Sequence, residues 1–127
     1  MSKWCDEGEN WVVSWIVSNT LYAGLYRNSV EPGEDATLAE IDEPPSEYGY
    51  SRITLDPSNW TIAGSRATHT VVEWTASGGS WGDVYGYFIT DVGTGYSGKL
   101  IAVMHFPNPI NVLDGITVRV RPKIEVD

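Results

Sequence analysis

The chain is poor in cysteine, in phenylalanine and in positive charge. Cys5 is its one cysteine, so no disulfide can close within the chain. None is needed for folding, because 127 residues can bury roughly two-thirds of the surface exposed when unfolded. Eight Lys and Arg stand against 17 Asp and Glu, a formal net charge of −9. That balance excludes nonspecific binding to nucleic acid or to an anionic membrane, where neutralised phosphate supplies the affinity. No apolar run approaches the roughly 18 residues a membrane-spanning helix needs. Met1 to Glu9 has Lys3 but also Asp6, Glu7 and Glu9, and no apolar run, so it does not read as a secretory signal. With the single thiol, this fits assembly in a reducing cytoplasm.

Catalytic patterns are missing too. There is no G-x-S-x-G turn for a serine nucleophile and no Gly-Lys-Ser/Thr phosphate loop. His69 and His105 both fall inside expected strands, far from each other and from Cys5, and match no metal spacing. Acidic neighbours raise the pKa of a thiol, which makes Cys5 a poor nucleophile. Asp83 and Asp91 are eight positions apart, over about 25 Å along a strand, too far to share a proton. We therefore expect no enzyme activity, no cofactor and no metal.

What is abundant is the pair of aromatic types with a polar edge: six Trp and seven Tyr against two Phe. Such side chains suit cores and interfaces alike. Residues 1–20 hold three of the Trp. Trp11, Val12, Trp15 and Ile16 recur at helical spacing behind an acidic start, which predicts a short N-terminal helix. Trp11 and Trp15 are expected mainly as a core plug, with a partner-facing patch as the alternative. Trp4, nearer the terminus, is as well suited to a partner as to the core.

Strand patterns follow at Leu21–Tyr26, Tyr48–Leu55, Arg66–Ala76, Trp81–Asp91 and Lys99–Phe106, with Gly, Pro, Asn and Asp turns between them. The last strand is the clearest. Ile116, Val118, Val120, Ile124 and Val126 share one face, and Thr117, Arg119, Arg121, Lys123, Glu125 and Asp127 share the other. Pro122 lies on the apolar face, so the strand is expected to bend or to sit at a sheet edge. Six to eight short strands with one helix predict a single all-β domain over residues 1–127. Its expected form is an antiparallel β-sandwich or a jelly-roll-like barrel.

Charge is segregated along the chain. Residues 28–47 hold seven acids and no base, with Pro32, Gly33, Pro44 and Pro45 as breakers. This acidic loop reads as a solvated surface loop or as an arm that reaches a basic neighbour. Glu34, Asp35, Asp42 and Glu43 are its candidate contact residues. Arg119, Arg121 and Lys123 form the basic stripe of the last strand, either a wet face or a counterpart for the arm in the same or the next subunit. Trp60, Trp74, Trp81, Tyr85, Tyr87 and Tyr96 are candidates for a sugar-stacking platform, or else core packing.

The order of segments resembles a family. Leu21-Tyr22-Ala23-Gly24-Leu25-Tyr26 is followed by Tyr48-Gly49-Tyr50-Ser51-Arg52, Val71-Val72-Glu73-Trp74-Thr75-Ala76 and Val84-Tyr85-Gly86-Tyr87-Phe88-Ile89-Thr90-Asp91. Then come Thr94-Gly95, Lys99-Leu100-Ile101-Ala102, Phe106 and Asp114-Gly115-Ile116-Thr117-Val118. Over Leu21 to Asp127 this is similar to small virion proteins of tailed bacteriophages, either capsid decoration (cement) proteins or short tail-fibre-like proteins. It departs from that pattern at Asp114-Gly115-Ile116 and in its aromatic, acidic N-terminus. The resemblance implies a structural protein on the outer capsid surface, made in the host cytoplasm. Its partners would be the major capsid protein and copies of itself, as a trimer, with no nucleic acid and no membrane. A receptor- or glycan-binding module of the tail is the alternative.

Overall fold

A computed structural model describes residues 3–126, so Asp127, expected on the polar face of the last strand, lies outside the described residues. One helix, α1 (Asp6–Val17), precedes nine strands: β1 (Leu21–Tyr26), β2 (Ile53–Leu55), β3 (Trp60–Ala63), β4 (Arg66–His69), β5 (Val72–Thr75), β6 (Gly82–Thr90), β7 (Leu100–Val112), β8 (Thr117–Val120) and β9 (Lys123–Glu125). They form three open sheets, ordered β2-β1-β6-β7, β3-β4-β9 and β5-β8. Every pairing is antiparallel. The mostly-β expectation with one N-terminal helix therefore holds. No closed barrel forms among the described residues.

One core joins the three sheets and the helix. It packs Leu21, Ala23 and Leu25 of β1 and Tyr87 and Ile89 of β6 with Trp60, Ala67, Trp74, Val118 and Ile124. A second, smaller core lies on the other face of the four-stranded sheet, where Leu38 and Ile41 of the acidic loop cover Tyr26 and Phe88. That sheet is thus apolar on both faces, and β1 reads as a continuous buried run. Two glycines let it close. A Cβ at Gly24 would lie 2.5 Å from the Phe88 ring and the Tyr50 hydroxyl, and one at Gly86 would strike the Met104 carbonyl.

Helix α1 starts where Asp6, Glu7 and Glu9 meet the positive end of its dipole. It stops where Ser18 and Asn19 take up its last carbonyls: the Ser18 hydroxyl donates to Trp15 O at 2.6 Å, and the Asn19 amide donates to the same oxygen at 3.0 Å. Its phase differs from the expected one. Val13 and Val17 are buried, while Trp11 and Trp15 are exposed. Two positions along a helix is a rotation of about 200°, so the indoles face away from the core. The core-plug reading of Trp11 and Trp15 is thereby corrected. The helix lies against β3 and β4, and Val13 and Val17 share a cluster with Ala67. Branched side chains allow that close approach, and an indole in their place would push the helix off the sheet.

Four strand expectations also change. Tyr48–Leu55 is a strand only over Ile53–Leu55, because a 3₁₀ turn (Ser46–Tyr48) and Gly49 at φ 86° precede it. Arg66–Ala76 splits into β4 and β5, which belong to different sheets. Trp60–Ala63, unforeseen as a strand, pairs with β4 as a hairpin. β7 continues through Pro107 and Pro109 to Val112, and β6 pairs both halves across a bulge. Proline is tolerated there because β7 is an edge strand. The last strand breaks at Pro122 into β8 and β9, as its proline suggests; Ile116, expected on the buried face, is exposed.

Candidate interface surfaces

The acidic loop is tied down and is not a free arm. Arg27 N–H donates to Asp42 O at 2.6 Å, and the Asn28 side chain brackets Glu40 O and Asp42 N–H at 2.8 Å each. Asp42 pairs with the Arg27 guanidinium at 3.2 Å. Glu43 meets Arg52 at 2.7 Å, with the Arg52 side chain only 3% and that of Glu43 only 10% exposed. Arg52 also donates to Val92 O at 3.0 Å and Gly95 O at 2.8 Å, and it lies over the rings of Phe88 and Tyr96. Tyr50 donates its hydroxyl proton to Glu43 and accepts from Leu25 N–H at 3.0 Å. This network clasps the acidic loop and the 91–99 loop to the four-stranded sheet. Of the loop's candidate contact residues, only Glu34 and Asp35 remain exposed without an ion-pair partner among the described residues.

The basic stripe is exposed as expected, but it does not meet the acidic loop within the chain. Arg119 pairs with Glu73 across β5 and β8 at 2.9 Å. Arg121 borders a shallow hollow beside His69 and Thr70. Lys123 has no ion-pair partner among the described residues.

The sugar-stacking set is mostly spent on packing. Trp60, Trp74, Trp81 and Tyr87 are buried, Tyr85 is half-buried, and only Tyr96 is exposed. The histidines are occupied likewise. His105 stacks between Tyr26 and Tyr85 and meets the Tyr26 hydroxyl at 2.9 Å. His69 is buried edge-on to Trp60, with Nδ1 on Thr70 O at 2.8 Å. Among the described residues, no three His, Cys, Asp or Glu side chains converge as a metal site would require.

The three N-terminal indoles form the largest aromatic exposure. Trp4, Trp11 and Trp15 are 54%, 71% and 65% exposed. Trp11 and Trp15 stand one turn apart, and the Trp4 ring lies over Gly8, one turn before Trp11. The indoles thus line one face of α1, which Glu7 shares, while Glu9 and Asp6 fall on the opposite side of the helix. Next to Trp15, a groove of about 520 Å³ runs between Ile16, Leu21, Lys99 and Ile101. Scattered exposed apolar residues mean little, but contiguous ones mark contact surfaces.

Four tyrosines hold their protons tightly, Tyr96 among them, raised first by partial burial and then by Glu43. Burial pushes Tyr26 and Tyr50 far above the usual phenol range, with the carboxylates Glu31 and Glu43 adding to it, and burial raises Tyr87. A raised pKa means the fold favours the neutral phenol. That stability is fully present below pH about 10, the unfolded value. It is lost as pH rises further, because only the unfolded chain ionises there. We expect one cooperative transition above pH 10, with tyrosinate absorbance rising together with loss of near-ultraviolet dichroism. Stepwise ionisation of all seven Tyr before unfolding would contradict it.

Compared with protein-family models, curated proteins and solved structures, the chain matches none.

Proposed function

We propose that the protein is an adhesive structural component of a virion: a capsid decoration protein that bridges neighbouring capsid subunits on the outer head surface. The observation that carries this reading is the exposed indole face of α1, outside a domain whose other large aromatics are largely committed to packing. Trp is the residue most enriched at binding hot spots, where a well-packed indole is worth about 2 kcal/mol or more. Glu7 on the indole face and the chain's net charge of −9 ask for a basic rim on the partner. Copies arranged by capsid symmetry, as a trimer, multiply each modest contact. The finer architecture we read as a sandwich, its sheets stacked over the shared core. The family resemblance of the sequence supplies the virion; the surface supplies the adhesion.

The tail-fibre or glycan-binding alternative finds less support, because four of its six stacking candidates are buried.

Particles assembled with and without the chain, imaged side by side, test the proposal. A repeated outer density that disappears with the chain, and weaker resistance to heat, is the expected result; an unchanged head sinks it. Residue by residue, replacing Trp4, Trp11 and Trp15 together with serine should leave the urea midpoint nearly unchanged, within about 0.5 kcal/mol per site. Occupancy on the particle should fall by more than tenfold. Full occupancy by the triple variant would place adhesion elsewhere.

A further inference from the structure

β7 is the outer strand of the four-stranded sheet, and β9 is the outer strand of β3-β4-β9. Each is paired on one side only. Between them lies a gap of about 520 Å³, bordered by Ile101 to Met104 on one side and Lys123 to Val126 on the other. Successive residues of a strand point to opposite faces. A cavity that touches four in a row on each strand therefore runs along their backbone edges, not across one face.

The free backbone groups can be counted from the alternation of an antiparallel ladder. Leu25 N–H bonds the Tyr50 hydroxyl on the β2 side of β1, so Tyr22, Gly24 and Tyr26 are the residues bonded to β6. Tyr87 and Ile89 then turn to β7, where Met104 and Ala102 answer them. Val103 and His105 are left facing outward. On β9, Pro122 O accepts from His69 N–H at 2.8 Å and Val126 N–H donates to Ser65 O at 3.0 Å. Lys123 and Glu125 consequently face away from β4. Lys123 N–H is met by the Tyr87 hydroxyl at 3.2 Å. The N–H and C=O of Val103 and of Glu125 remain, with the Lys123 carbonyl.

We propose that this slot binds one extended strand of a partner protein, apolar in alternation and carrying an acidic residue opposite Lys123. Donors and acceptors on both walls call for a polypeptide backbone, which would join the two sheets through itself. Ile16, Ile101 and Ile124 supply apolar walls. Arg66 is neutralised by Glu125 at 3.2 Å, which leaves Lys123 as local positive charge in a chain of net charge −9. That charge selects an acidic guest. The slot shares Ile16 and Ile101 with the groove beside Trp15, so a guest longer than the slot runs on to the indole face. The inference holds for any assembly the chain joins, since it needs neither a capsid nor the indoles.

Amide hydrogen exchange on the full chain tests it, with the acetylated peptide Thr-Val-Glu-Val-Thr-Val-Thr as probe. In the free protein the Val103 and Glu125 amides should exchange quickly. With peptide about 100-fold above its Kd they should slow by about 100-fold. The same peptide N-methylated on alternate residues should give no protection, and Lys123→Glu should weaken binding about tenfold. Val103→Pro removes an outward N–H without a bond to β6, so it should fold and fail to bind. Should it not fold, the N-methylated peptide and Lys123→Glu still decide. The idea is overturned by amides already protected in the monomer or by no protection at millimolar peptide. Protection that grows with protein concentration alone would also overturn it, since the occupant is then a second copy.

Discussion

Replacing Arg52 with alanine should destabilise the protein by about 3–5 kcal/mol, the usual consequence of stripping one partner from a buried ion pair. The reason is geometric. Arg52 and Glu43 are almost wholly out of water, and the guanidinium fills its fork with one carboxylate and two loop carbonyls. Removing it leaves the Glu43 charge buried with the neutral Tyr50 and Tyr96 hydroxyls beside it and no cation, and it leaves Val92 O and Gly95 O without this donor. Urea unfolding at neutral pH measures the loss. Arg66→Ala is the matched control, because the Arg66–Glu125 pair is more than half exposed and such pairs are worth at most about 1 kcal/mol. An Arg52 variant that loses no more than the control would show that the clasp is decoration. Replacing both partners together, Arg52→Met with Glu43→Leu, should recover part of the loss, because no uncompensated charge then stays inside. Reversing the charge at Glu43 should accordingly act on the fold before it acts on any neighbour.

Trp81→Ala should be comparably severe, at about 3–5 kcal/mol. Trp81 is 1% exposed, meets the Tyr50 ring edge-on at 5.6 Å, and donates Nε1–H to Tyr48 O at 3.0 Å. Its removal leaves a cavity and takes one of two donors from Tyr48 O, which keeps only Ser77 N–H at 2.9 Å. Thermal or urea unfolding of the variant reads the effect; a loss under about 1 kcal/mol would mean that the neighbours collapse into the space. Tyr50 touches both Trp81 and the Glu43–Arg52 pair, so the double variant should not be additive. Because the indole is enclosed, a loss of glycan binding in Trp81→Ala would report unfolding and not a sugar platform.

Where the sequence is legible, a local rule and the tertiary fold agree. Leu21–Tyr26 is apolar throughout and is a strand buried on both faces. The period-2 run after Asp114 is two strands that keep one phase, and its proline marks the joint. Helix α1 is legible as a helix but not in its rotation. Trp and Val both count as apolar, and the choice between them is made by the sheet the helix lies on. The acidic loop hides its anchors, since Leu38 and Ile41 are two apolar residues among seven acids. The Arg52 clasp joins residues 43, 52, 92 and 95, far apart in the chain and of ordinary type. The slot is the least legible of all: an unpaired edge is a property of sheet order, which no single segment carries.

The prolines of β7 have one more consequence. A chain that keeps an open, uncharged edge runs the risk of endless lateral stacking, each copy adding to the last until a fibre forms. Pro107 and Pro109 offer no N–H, so the edge is cut to a few residues beside Ile101 to His105. It is long enough to receive one short guest and too short to template a growing fibril.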